Sequence, residues 1–212
     1  MMNTQAERQH ILQSLRSLKD KSTTLPLPAL DREGKLDNAS LEELLELFTR
    51  VLTAHNTSVI NLAAITDLPE AVHDYLQNLV VDPLVFGGKN PLLNTLAWSR
   101  FGLQWQEQAF TGDGHVAIAT ADYAIADTGT VVVLSSEKNP TRNNFLAEHH
   151  IVVLQKETLL PYSEDVWEKI TAEHDPLPRA INFISGPSSS ADVGLKLEYG
   201  AHGPRSLAVF LY

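Results

Sequence analysis

The stretch HVAIATADYAIADTGTVVVL, residues 115–134, decides the fold class. Residues 115–121 and 124–126 are rich in β-formers. Asp127-Thr128-Gly129 then interrupts the run, and residues 130–134 resume it with β-branched side chains. Working outward, residues 151–154, 180–184 and 206–211 are further short apolar runs that read as buried strands. Residues 58–63 and 80–86 have the same character nearer the start. Helical patterns fall between them. Ser40 and Glu43 have capping-box spacing, followed by a stripe of Leu41, Leu44, Leu45, Phe48 and Leu52. A helix opening near Pro69 buries Val72, Tyr75, Leu76 and Leu79. Residues 139–148 read as a helix with Pro140 at its start, and Ser163 as the cap of a helix reaching about Glu173. Strands alternating with helices predict an α/β protein, its sheet mostly parallel and flanked by helices.

Residues 4–19 carry Ile11, Leu12, Leu15 and Leu18 at helical spacing. Pro26 and Pro28 then block helix within residues 23–34. The expected organisation is an N-terminal helical arm with its linker over 1–34 and an α/β domain over 35–212. Trp98 and Trp105, seven apart, suggest core packing at helical spacing.

Composition narrows the function classes. The 212 residues contain no cysteine, so this chain supplies no thiolate for a cluster, a zinc site, a disulfide or a nucleophile. A net charge of −10 disfavours broad binding to nucleic-acid phosphates and to anionic membranes. LAVFLY, residues 207–212, is the longest purely apolar run, far short of the ~20 residues a spanning helix needs. With no secretory pattern at the start, a cytoplasmic protein is expected. GxGxxG, GxxxxGK[ST], HExxH and GxSxG are all absent. His149-His150 looks like a metal pair, but adjacent strand residues face opposite ways, so no metal site is expected.

Three loops can carry chemistry. Asp127-Thr128-Gly129-Thr130 is either an anion-binding nest, with Asp127 as base, or an ordinary turn. Gly186-Pro187-Ser188-Ser189-Ser190-Ala191-Asp192 offers hydroxyl and backbone donors after a strand and before a short helix, or merely a helix cap. Gly200-Ala201-His202-Gly203-Pro204-Arg205 combines a proton-shuttling imidazole with an anion-gripping guanidinium, or is a solvated turn. Ligands of open α/β sheets sit beyond the strands' carboxyl ends. The expectation is one shared pocket of Thr128, Gly129, Ser188, Ser190, His202 and Arg205, with Arg205 the fixed positive charge.

At these loops the sequence resembles a known family. ADYAIADTGTVVVL (121–134), NNFLAEHHIVVL (143–154), ISGPSSSADVG (184–194) and GAHGPRSLAVFLY (200–212) are similar to the LutC/YkgG family of LUD-domain proteins, the lactate-utilization protein C family. The resemblance implies a fold of the NagB/RpiA/CoA-transferase-like type. It implies a non-cluster component of a cytoplasmic iron–sulfur L-lactate oxidation system, converting lactate to pyruvate, rather than an enzyme active alone. Partners would be a cysteine-rich and a ferredoxin-like iron–sulfur protein, with no cofactor in this chain. Family motif positions fall on Asp127, Thr128, Gly129, Thr130, Arg142, His150, Gly186, Pro187, Ser188, Asp192, His202, Gly203, Pro204 and Arg205. Asp127 and His202 are the candidates for catalysis. Thr128, Gly129, Thr130, Arg142, Gly186, Pro187, Ser188, Ser190, Asp192, His202, Gly203 and Arg205 are those for ligand binding. Asp127 stands where the family more often has glutamate, and Ser189, Ser190 and Gly194 also depart from its pattern. The alternatives are a stand-alone CoA-transferase-like or sugar-phosphate-isomerase-like enzyme and a ligand-binding regulatory module.

Overall fold

A computed structural model describes residues 8–14, 34–112, 115–191 and 197–212. The chain divides into two units, residues 1–34 and 35–212. In the first, residues 8–14 are helical. The rest of the expected helix and the linker at 23–33 lie outside the described residues, as do Asp192 and Gly194.

In the second unit the helices of two turns or more are α1 (Leu41–Ala54) and α2 (Leu68–Leu79), with α5 (Ser163–Glu173) later in the chain; α3 (Pro91–Asn94) and α4 (Asn143–Leu146) are single turns. The strands are β1 (Thr57–Asn61), β2 (Leu84–Phe86), β3 (Gln104–Gln106), β4 (Val116–Thr120), β5 (Tyr123–Ile125) and β6 (Thr130–Leu134). They continue with β7 (His149–Leu154), β8 (Leu159–Leu160), β9 (Ile181–Ile184), β10 (Ser189–Ala191), β11 (Leu197–Tyr199) and β12 (Ser206–Leu211).

Six strands pair in the order β1-β12-β7-β4-β2-β3, every pair parallel. A second sheet, β8-β5-β6-β9, mixes one parallel with two antiparallel pairs. Strand β10 pairs antiparallel with β11. All six residues of β7 are buried, as expected of a central strand covered on both faces. Their alternation sets the layers. Ile151 and Val153 join Leu68, Val72 and Leu76 of α2 on one face. Val152 and Leu154 join Leu44, Phe48 and Leu52 of α1, with Val131 and Val133 of β6, on the other. The far side of the second sheet, Val132 and Leu134, packs on Val166 and Ile170 of α5. The expected mostly parallel sheet with flanking helices is therefore what forms.

Several local expectations need correction. Residues 139–148 are not one helix; only the turn α4 forms. Asn139 accepts from Thr120 N at 3.0 Å and donates to Thr120 O at 2.9 Å, which pins this segment to β4 instead. Ser163 is the first helical residue of α5, and Tyr162 is its cap. The Tyr162 N–H donates to Asp165 Oδ2 at 3.1 Å. Residues 189–191 form β10 rather than the start of a helix. The run at 80–86 is a strand only from Leu84, because Val80 caps α2 in a left-handed conformation. Trp98 and Trp105 do pack, stacked with centroids 4.7 Å apart, but from a 3₁₀ turn and β3 rather than from one helix.

Candidate functional site

The alternation that builds the core also aims the histidine pair. His149 lies on the Ile151 face, where its Nδ1 meets Ser206 Oγ at 2.6 Å. His150 lies on the Val152 face, in register with Leu207 of β12 and Ala117 of β4. It is 1% exposed, and neither ring nitrogen has a hydrogen-bond partner. Burial depresses its pKa to about 4, so the imidazole is neutral at pH 7. Asn144 of α4 is buried too, with both side-chain atoms unpartnered. Among the described residues, no cluster of His, Asp and Glu is placed to hold a metal.

His150 and Asn144 line one chamber of about 270 Å³. It sits at the amino ends of β7 and β12, since His150 and Leu207 are the second residues of those strands. The chamber lies beyond the carboxyl end of β9, as expected for the loop after that strand, but at the amino rather than the carboxyl ends of β7 and β12. Its walls come from Ser185, Gly186 and Ser188 after β9, and from His202, Gly203 and Pro204 before β12. These two loops are tied together: Ser188 N donates to Pro204 O at 2.8 Å, and Gly200 N donates to Ser188 O at 2.9 Å. Gly200 has φ +85°, and a Cβ there would stand 2.7 Å from Arg205 Cβ, so the close approach of this loop to β12 needs glycine. His55 at the end of α1 fixes the other side by donating from Nδ1 to Ser185 O at 3.0 Å.

The adjoining cleft shares Phe145, His202 and Gly203 with the chamber and is lined also by Glu148 and Arg205. Glu148 accepts from Arg205 Nη1 and from His115 Nδ1, each at 2.7 Å. Those two bonds hold its carboxyl below the usual range. Arg205 thus has a carboxylate partner that is neither Asp127 nor a neighbour in its own loop.

Of the expected shared pocket, only Ser188 and His202 line the chamber, joined there by the ligand-binding candidates Gly186 and Gly203. The Asp127–Gly129 segment is the tight turn between β5 and β6, with Asp127 and Thr128 exposed. Its link to the chamber is a hydroxyl chain: Thr128 Oγ1 to Thr130 Oγ1 and Thr130 Oγ1 to Ser185 Oγ, both 2.7 Å. Arg205 lines the adjoining cleft, Ser190 lies on β10, and Arg142 is exposed ahead of α4. Pro187 is half-buried between Gly186 and Ser188. Asn144 and Ser185 have no distinguishing sequence signal, because both residue types are common in turns. Only burial without a partner singles out Asn144.

The LUD domain family profile matches residues 38–212. The chain is 24% identical to lactate utilization protein C of Bacillus pumilus, an alignment covering 92% of this chain and 90% of that protein. It is 40% identical over 92 residues to lactate utilization protein C of Halalkalibacterium halodurans, where the match spans 40% of the relative's length. The YkgG protein of Escherichia coli is 35% identical over 92 residues, again 40% of its length. The crystal structure of a DUF162 family protein from Deinococcus radiodurans superimposes with a TM-score of 0.62 at 17% identity, over 81% of this chain and 98% of that one. At that identity the likeness concerns the fold.

Proposed function

The chain belongs to the LUD domain family, and from that membership we propose that it serves lactate utilization as the non-cluster component of an iron–sulfur L-lactate oxidation system. The names carried by its full-length relatives support the lactate role. A sequence without cysteine supports the division of labour, because clusters need thiolates that partner proteins would supply. Its own contribution is a loop site for a small ligand. The observation that carries this is the convergence of residues 185–188 and 202–204 over the buried, unpaired Asn144 and His150. Leaving such groups dry costs ~1–3 kcal/mol each, a cost that folded chains rarely carry without a use.

The chain is expressed in a bacterial strain that lacks its own lactate utilization protein C, retains the other components, and is grown on L-lactate as sole carbon source. Restored growth, with co-purification of cysteine-rich iron–sulfur proteins on the tagged chain, is the expected result. Normal growth of the uncomplemented strain would overturn the proposal. So would a tagged chain, soluble and abundant, that neither restores growth nor retains a cluster protein.

A further inference from the structure

The groups that a chamber occupant can reach are few and uncharged. Polar contact comes from the hydroxyls of Ser185 and Ser188 and the imidazole of His202. The polar atoms of Asn144 and His150 are closed off, so those two residues shape the chamber without gripping what enters it. The remaining side chains, Phe145, Phe183, Ile184, Pro204 and Leu207, are apolar. Phe183 is backed by Trp167 of α5, with ring centroids 5.5 Å apart.

Charge selects against an acid. Among the described residues, no Lys, Arg, Asp or Glu lines the chamber. The adjoining cleft holds the guanidinium of Arg205, but Glu148 already pairs with it. An anion in the chamber would have no fixed counter-charge, and a charge taken from water unpaired is costly. A neutral occupant with hydrogen-bonding oxygens meets no such cost. At about 270 Å³ the chamber falls just below the roughly 300–1,000 Å³ of pockets for drug-sized ligands, which is room for a ring but not for a long molecule. The rest of the ligand must lie in the cleft, which shares Phe145, His202 and Gly203 with the chamber. There Phe145, Leu146 and Tyr199 stand exposed side by side along one lining. Large apolar side chains left in water beside a cavity fit an apolar chain rather than the sugar-phosphate arm of a nucleotide.

We propose that the chamber binds the ring of a quinone, its carbonyl oxygens held by Ser185, Ser188 and His202, its face on Phe145 and Phe183, and its apolar tail along the cleft. Binding stands on the chamber alone. A role as electron acceptor rests in addition on the lactate reading. L-Lactate releases two electrons and two protons in becoming pyruvate. The electrons pass through the partners' clusters, and the quinone takes up two electrons and two protons to become the hydroquinone. His202 can hand a proton to a ring oxygen. The hydroxyl chain Thr128–Thr130–Ser185 leads from the exposed turn to the chamber wall, a second route for protons.

The test is isothermal titration of the purified full chain with a water-soluble ubiquinone analogue bearing one isoprene unit, and separately with adenosine monophosphate and inorganic phosphate. The expected result is saturable, one-to-one binding of the quinone and none of the two anions. Ser188→Ala and His202→Ala, each shown to be folded by its amide spectrum, should each weaken quinone binding about threefold or more, and the double variant more than either. No quinone binding, tighter binding of either anion, or quinone binding untouched in the double variant would overturn the proposal. If growth on lactate needs the chain while the quinone does not bind, the chamber assignment fails and the subunit reading stands. If the quinone binds as described while growth is independent of the chain, the binding site stands, and the acceptor role fails with the subunit reading.

Discussion

Two buried polar clusters lie within a dozen residues of each other and are treated in opposite ways. At Asn139 every side-chain function has a partner. Its oxygen accepts from Thr120 N and Oγ1, and its amide donates to Thr120 O. Asn90 completes the cluster by donating to Thr120 Oγ1 at 2.9 Å while capping α3. At Asn144 and His150 nothing in the protein answers. Asn139 and Asn144 are each 3% exposed, so burial does not separate them; satisfaction does. The first is a structural clasp between β4 and the loop that follows β6. The second is left open, on the wall of a chamber.

That contrast can be broken by substitution. Asn139→Ala removes three hydrogen bonds and strands Thr120 N and O, so it should cost about 3 kcal/mol, read by urea denaturation. A cost under 1 kcal/mol would erase the distinction from the clasp side.

Acid sharpens the contrast from the other side. In the unfolded chain histidine protonates near its ordinary value of 6.5, whereas buried His150 resists until about 4. The unfolded state therefore binds more protons between those values, and stability falls as pH drops from about 6.5 to 4. The gap corresponds to on the order of 3 kcal/mol. His149, also lowered by burial, acts in the same direction. Unfolding free energies at pH 7 and pH 4 for the wild type and His150→Leu should differ in slope by roughly that amount.

Gly129 tests the scaffold around the chamber. Its φ is +57°, and an added Cβ would lie 2.9 Å from Leu52 N of α1. Gly129→Ala should cost about 2 kcal/mol by thermal melting, combining left-handed strain with displacement of α1. Arg205→Ala should have the smallest effect on folding, no more than about 1 kcal/mol, because its bond to Glu148 is largely exposed.

Much of the fold was legible in the residues. The β-branched run at 130–134 and the apolar runs at 151–154 and 206–211 lie within β6, β7 and β12, and the capping box at Ser40 and Glu43 opens α1. What escaped was decided by partners distant in sequence. Asn139 gives its amide to β4, so a helical-looking stretch shortens to one turn. Ser189 and Ser190 pair with β11 rather than starting a helix. The candidate site was legible as loops. Gly186, Ser188, His202 and Gly203 do share a wall. The chamber's position at the amino ends of β7 and β12, and the burial of Asn144, arise from stacking a second sheet on the first. No local pattern encodes that.

His150 is buried with neither ring nitrogen bonded, and reading the loops around it as a ligand site requires that it not hold the fold together. The thermal stability of ligand-free His150→Leu at pH 7 tests it most directly. An apolar side chain of similar size removes two unsatisfied nitrogens from the interior, so the melting temperature is expected to stay unchanged or rise by a few degrees. A melting temperature lowered by 10 °C or more would mean that His150 holds the fold together and is not kept for a ligand.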